Sequence, residues 1–453
     1  MGPAFLDSKV RRRFGAGFWA LADQGAVSLG NFMTQIILAR SLSHSAYGVF
    51  ALIFGVLLFL FTCQSGLIAY PLSLDGATVS KVELRKIAFA SAFLTLLLAV
   101  PLSSLVIGAT FVLHVAAITW AVLLAMLLWQ LQETFRRALM AHLRHDLAIW
   151  GDTLSYAGQA VLIWLLARGG TLTLERIFLV IAVTSAAAAL LQSLQVGWST
   201  MPLGAALATS RKFWSRGKWA LLSGMNESGV RQVFPWLLAL LYGPAQAASF
   251  QAVMNLVGVS HPVTFGTVNV LVPAAAEAKH RSGTAAAFRT SCWYGTLAGI
   301  LVVPFFMALL IWSRPALALF YGHLSPYLTV GASLRLASVA YIFAYFAGVI
   351  VAFLYGVDRA KFAFAASIGG TLFAIPPSAY LIWKFGVPGA VAGILLVAAG
   401  KFLIGGVLSE RTLRAAAFAA APQSSSAEAS AGGSPRAEGR SAIRLENGRM
   451  GEN

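Results

Sequence analysis

Charged side chains are scarce in this sequence. Asp, Glu, Lys and Arg make up 11% of its 453 residues, less than half the share of roughly 25% in an ordinary soluble domain. The shortage excludes a water-exposed surface over most of the chain. Acidic residues are the rarest of these, 16 against 33 Lys and Arg, leaving a formal charge of +17. Cysteine is almost missing as well. Cys63 and Cys292 each lie inside an apolar run, so neither a disulfide framework nor a metal centre is indicated. Long polar connections are also lacking. On the side poor in Lys and Arg the longest is about residues 313 to 327, too short for an external domain. A membrane enzyme would be expected to carry acid, base or arginine groups in sizeable loops there, so no enzymatic activity is expected and no catalytic residue is assigned.

What the sequence has in abundance is apolar length. Hydrophobic residues make up 58% of the chain, and the mean hydropathy is +0.76. Twelve apolar runs near or above the spanning length of about 20 residues fall between residues 18 and 408. The expected fold is an all-α polytopic membrane protein with twelve transmembrane helices. Residues 18–197 form the first group of six and 219–408 the second, with 198–218 as a cytoplasmic linker.

Lys and Arg concentrate on the cytoplasmic side of membrane proteins, and that bias orients the chain. With a cytoplasmic amino terminus, only Arg40, Arg168, Arg176, Arg314 and Lys384 fall outside, and Arg231, Arg335 and Lys401 fall within spans. The rest of the 33 are then cytoplasmic, as are both termini. The positive charge is a topology signal, not a nucleic-acid surface. Residues 1–17, with Lys9, Arg11, Arg12 and Arg13 beside Phe5, Val10 and Phe14, read as a basic amphipathic segment at the inner headgroups. Residues 409–453 turn to Ala, Ser, Gly, Glu and Arg and read as a disordered cytoplasmic tail.

The stretch Phe18 to Arg40 is long enough to span, yet it carries Asp23, Gln24, Ser28, Asn31 and Gln35. At 100° per residue these share one broad face, and an intramembrane polar stripe of this kind is expected to line a wet cavity. Trp219 to Tyr242 repeats the plan, with Ser223, Asn226, Glu227 and Arg231 on one face. Two halves that each begin with a polar-striped helix suggest a transporter built from repeated bundles.

The segment ILARSLSHSAYGVFAL, Ile37 to Leu52, joins the first two spans. Its LAR at Leu38 to Arg40, Leu42 and YGVF at Tyr47 to Phe50 resemble the opening signature of Wzx-type polysaccharide flippases, in the polysaccharide-transport branch of the MOP exporter superfamily. The similar organisation covers roughly residues 10 to 410. The resemblance implies two MOP/MATE-like six-helix lobes facing each other across a cavity that opens alternately to either side. It also implies translocation of an undecaprenyl-diphosphate-linked sugar repeat across the bacterial inner membrane, with that lipid-linked oligosaccharide and membrane lipids as partners. A polysaccharide polymerase is the protein partner such a reading allows; no nucleic acid is expected.

Within that frame the cavity candidates are Arg231, Arg335, Lys401, Arg40, Asn31, Gln35, Gln24 and Asn226. Arg231 sits near the middle of the seventh span, where an unpaired arginine costs at least about 2.5 to 3.5 kcal/mol. It either pairs with Glu227 at i, i+4 or grips a diphosphate through forked hydrogen bonds. Arg335 has no acid within a helical turn, Lys401 could snorkel to the interface, and Arg40 could cap a helix instead of touching cargo. The four amides could bond sugar hydroxyls or bridge helices. Asp23 and Glu227 are candidates for proton or sodium coupling, or for structural pairing; no other cofactor is expected. His261 reads as a packing histidine. The competing reading is a MATE-like, cation-coupled multidrug exporter, whose cationic cargo calls for a net acidic cavity.

Overall fold

Why the helices begin and end where they do is written in short polar caps. Ser43 accepts from the amide of Ala46 and starts α2, His44–Gln64. Ser80, followed three residues on by Glu83, starts α4, Lys81–Val112, in a capping-box sequence. Thr173 does the same for α8, Leu174–Val196. Gly243, at φ 86°, makes the turn that ends α9, Leu203–Tyr242, and starts α10, Pro244–Gly258. A side chain with a Cβ would be strained there.

These elements belong to a computed structural model that describes residues 3–199 and 203–420, with side chains from Phe18 onward. The other helices are α1 (Pro3–Ser41), α3 (Tyr70–Gly76), α5 (Thr119–Ala141), α6 (His145–Asp152) and α7 (Gly158–Arg168). They continue with α11 (His261–Ile311), α12 (Ser313–Tyr321), α13 (Gly331–Gly356), α14 (Ala360–Phe385) and α15 (Val387–Ala420). Among the described residues no strand occurs. Eight helical stretches are long and apolar enough to cross a membrane by length and composition alone. That count is short of the twelve expected passes, for identifiable reasons. α11 bends at Ser282 and Gly283 into two helices, α6 and α7 are one pass divided by a π turn, and α1 and α9 carry many charges. The fold is all-α among the described residues and multi-pass.

Two π turns interrupt the first lobe, Ser65–Ala69 between α2 and α3 and Thr153–Ala157 between α6 and α7. Such bulges rotate the following helix and free a carbonyl, and they recur at functional sites. The second lies under α1, where Gly30 packs so closely on the backbone of Tyr156 that a Cβ would approach it to 2.7 Å.

The apolar core has three parts. One joins the lobes: Leu38, Tyr47 and Phe50 pack with Leu238, Phe250 and Val253. At the other, basic end each lobe keeps its own core, Leu72, Leu84 and Phe135 in the first and Leu271, Phe353 and Val357 in the second. At the basic end the halves meet through α9, whose Phe213 enters the first lobe's core and whose Gly217 packs on Gly66.

Three expected boundaries move. The stretch 198–218 is not a free linker: α9 begins at Leu203, and its Phe213 is 2% exposed in the first lobe's core. Lys212 reaches Asp75 at 2.9 Å, and Arg216 pairs with the same carboxylate. Burial and ion pairing stabilise what charge alone suggested was loop. The helix α15 runs to Ala420, so the tail is helical past residue 409; residues 421–453 lie outside the described ones. At the amino terminus α1 is continuous from Pro3, and the side chains of the basic segment 1–17 lie outside the described set.

Candidate functional site

Asp23 and Gln24 are neighbours in sequence, and their side chains part company. Asp23 is 1% exposed and turned into the first lobe, whereas Gln24 is exposed and bonds only Ser28 of its own helix, at 3.4 Å. The partner of Asp23 is Arg136 on α5, 3.2 Å away. Arg136 also reaches Glu133 at 3.3 Å and pairs with Asp152 at the end of α6. Arg137 pairs with Glu133 as well, and Gln192 of α8 donates to Asp152 at 3.0 Å. Three carboxylates thus surround two guanidiniums, with Arg136 only 8% exposed. One acceptor, Oδ1 of Asp23, has no hydrogen-bond partner. Burying charge is tolerable only with this density of pairing.

The sequence reading missed Arg136, Arg137 and Glu133 as site residues. Hydropathy alone ends the fourth apolar run at about residue 132 and leaves both arginines as loop charges, but α5 continues to Ala141. The i, i+3 and i, i+4 spacing of Glu133 to Arg136 and Arg137 was the available signal. The π turn contributes too: Ser155 donates to Gln132 at 2.8 Å, and Trp129 donates to Tyr156 at 3.2 Å.

In the second lobe the Glu227 to Arg231 ion pair, one of the two alternatives for Arg231, is not formed among the described residues. Both side chains are exposed, and neither has an ion-pair partner among the described residues. Arg231 has only a long bond to Ser228, 3.4 Å, while Ser228 meets Thr62 of α2 at 2.8 Å. Arg231 lies within electrostatic reach of His261 and Tyr341, and Glu227 of Tyr355. Asn226 and Asn31 are half-buried and make no side-chain hydrogen bond among the described residues. The side chain of Ser223 lies outside the described set.

The remaining candidates are elsewhere. Arg335 is exposed on the second turn of α13, bonded to Ser313 at 3.1 Å. Lys401 is half-buried against Gly370, and α15 continues well beyond it. Gln35 accepts from Tyr47 at 3.0 Å. Arg40 donates across the lobes to the carbonyls of Phe320 and Leu319, at 2.6 and 2.8 Å, where a cation suits the carboxyl end of α12. Nearby, His44 meets Ser249 at 2.9 Å and Asn255 donates to Tyr47 at 2.8 Å. These bonds tie the lobes together at the end opposite the basic one, beside a cavity of about 610 Å³ lined by Arg40, His44 and Tyr327. The structure therefore separates three groups: the acid and arginine cluster inside the first lobe, the free Arg231 at the lobe interface, and the Arg40 lock. Among the described residues no group of acids, His or Cys could hold a metal ion.

The sequence matches no protein-family model and no curated protein. Solved structures do match. An inward-facing multidrug resistance MATE family transporter of the MOP superfamily is similar over 87% of this chain and 96% of its own, at 14% identity and a TM-score of 0.71. An outward-facing MATE structure of the same description gives a TM-score of 0.61, at 14% identity over 88% of this chain and 94% of its own. A MOP superfamily transporter from Pyrococcus furiosus, described as having a binding pocket of reverse polarity that suggests a different function, gives 0.62 at 13% identity, over 88% and 95%. At this identity the likeness establishes the fold: the chain has that of MOP-superfamily transporters.

Proposed function

We propose that the chain translocates an undecaprenyl-diphosphate-linked oligosaccharide from the inner to the outer leaflet of a bacterial inner membrane, by alternating access and without enzymatic chemistry. The observation that carries this is the unequal fate of the charges. The carboxylates of the first lobe are buried against Arg136 and Arg137, whereas Arg231 stands exposed at the interface and forms no ion pair among the described residues, Glu227 one turn away included. An unpaired guanidinium in a membrane cavity suits a diphosphate. With both termini cytoplasmic, the basic end, where the halves keep separate cores, is the side where lipid-linked sugars would load. Moving two negative charges outward gains roughly 2.3 kcal/mol per charge per 100 mV of inside-negative potential. The surplus carboxylate near Asp23 is the proposed point of proton or sodium coupling, with Glu227 as the second candidate.

A second reading, export of cationic drugs, is favoured by one feature: Glu227 is also exposed and unpaired. The known structures with this fold bear on the architecture and not on the cargo. The deciding experiment is leaflet-resolved transfer of undecaprenyl-diphosphate-linked oligosaccharide in proteoliposomes, for the wild type and for Arg231→Ala. Transfer that collapses in the folded variant supports the flippase. Correctly folded wild type that moves no such lipid, yet extrudes a cationic dye, would establish the exporter.

A further inference from the structure

The eighth span does not cross in one piece. α10 stops at Gly258, Val259 and Ser260 form a turn, and α11 starts at His261. The turn keeps right-handed helical φ/ψ, with the N–H groups of Val259 and Ser260 bonded to Leu256 and Val257, and Pro262, which has no N–H, leaves the carbonyl of Gly258 without its helical donor. The side chain set at this break is His261. Its ring stacks on Tyr341, centroids 6.0 Å apart with an interplanar angle of 25°, and meets Phe265 at 5.7 Å. The two aromatic contacts fix the plane of the imidazole. Its nitrogens are left with no hydrogen-bond partner among the described residues, and neither is sealed from the surrounding space. The guanidinium within its electrostatic reach is that of Arg231, on α9 across from the break.

We infer that His261 is a cargo-binding residue, which with Arg231 holds the phosphate groups of a polyprenyl diphosphate at the break in the eighth span. The inference rests on the flippase reading proposed above. The guanidinium of Arg231 presents only N–H donors, and the imidazole of His261 adds one N–H of its own, so most of the donors at this place are left without an acceptor. Phosphate oxygens supply what is missing. The fork of Arg231 takes two of them, and an imidazole N–H donates to a third from a different direction. Oriented by Tyr341, the imidazole distinguishes a phosphorylated head from a neutral one. Sugar hydroxyls remain for the amides at Asn226, Asn31 and Gln24.

The test measures binding by the purified full chain in nanodiscs, with two probes of equal chain length, a polyprenyl diphosphate and the uncharged polyprenol. His261→Phe keeps the ring against Tyr341 and removes both nitrogens; His261→Asn is the second variant, in case the first does not fold. The wild type is expected to prefer the diphosphate. Folded His261→Phe is expected to bind the diphosphate roughly tenfold or more weakly, the worth of a hydrogen bond to a charged group, with polyprenol binding unchanged. If the wild type prefers the diphosphate and the variants retain that preference, His261 only packs and the inference is overturned while the flippase reading stands. If the wild type binds both probes alike, both fall together. Equal losses for the two probes would show a structural role and would also overturn it.

Discussion

Replacing Arg136 by methionine keeps a side chain of similar length and deletes the charge on which three buried carboxylates converge. Asp152, with no exposed surface, then loses its ion pair, and so does Asp23. Glu133 retains Arg137. Breaking a buried pair from one side costs about 3–5 kcal/mol, because the other charge stays behind uncompensated. Here two carboxylates are stranded, although Gln192 still donates to Asp152. A membrane protein in detergent unfolds irreversibly, so the readout is an apparent melting temperature at fixed scan rate. The expected fall for Arg136→Met is roughly 5–15 °C. Adding Asp152→Asn to the same chain should recover about half of it. Arg136→Lys keeps the charge and loses the fork that reaches several carboxylates, so it should fall between the two. A single variant that melts within about 2 °C of the wild type, with no gain from the second change, would refute the claim that these charges join α1, α5 and α6.

Other perturbations separate the remaining groups. Arg335→Ala should leave transport within about twofold, since its partner is a hydroxyl on α12, whereas Arg231→Ala should lower it more than about tenfold in the proteoliposome assay. Gly48 faces Pro244 so tightly that any Cβ would overlap that residue's carbonyl, so Gly48→Val should abolish the yield of monodisperse protein on size exclusion. Asp75→Asn removes both ion pairs holding the start of α9. Lys212 and Arg216 are 55% and 43% exposed, so the melting temperature should move little, while hydrogen exchange over 203–218 should quicken.

The apolar reach of the spans was legible because it is a local pattern, whereas the stripe of α1 does not stay on one face: Asp23 turns into the first lobe and Gln24 stays exposed. Tyr47 and Phe50 of the YGVF segment are completely buried where the lobes meet. The acid and arginine cluster was not legible, because its members come from α1, α5 and α6 and only the fold brings Asp23 to Arg136. Charge at the end of an apolar run was equated with the end of a helix. Arg136 shows where that fails: buried carboxylates keep a charged residue inside. The first turns of α9 failed the same test for a related reason. Ala206, Phe213 and Gly217, spaced seven and four apart, form a narrow apolar face that the basic residues around it masked.

A single helix, α9, is fastened to one lobe by Phe213 and to the other by Leu238. Its 40 residues amount to about 60 Å. Any movement that parts the lobes must therefore bend or slide this rod along the stretch where Gly224 and Ser228 pack on Thr62 of α2, inside the span rather than in a watery loop. A loop hinge answers to its length and its glycine content. A joint set in lipid answers to the thickness and lateral pressure of the membrane around it, so bilayer composition becomes a control on how readily the protein turns over.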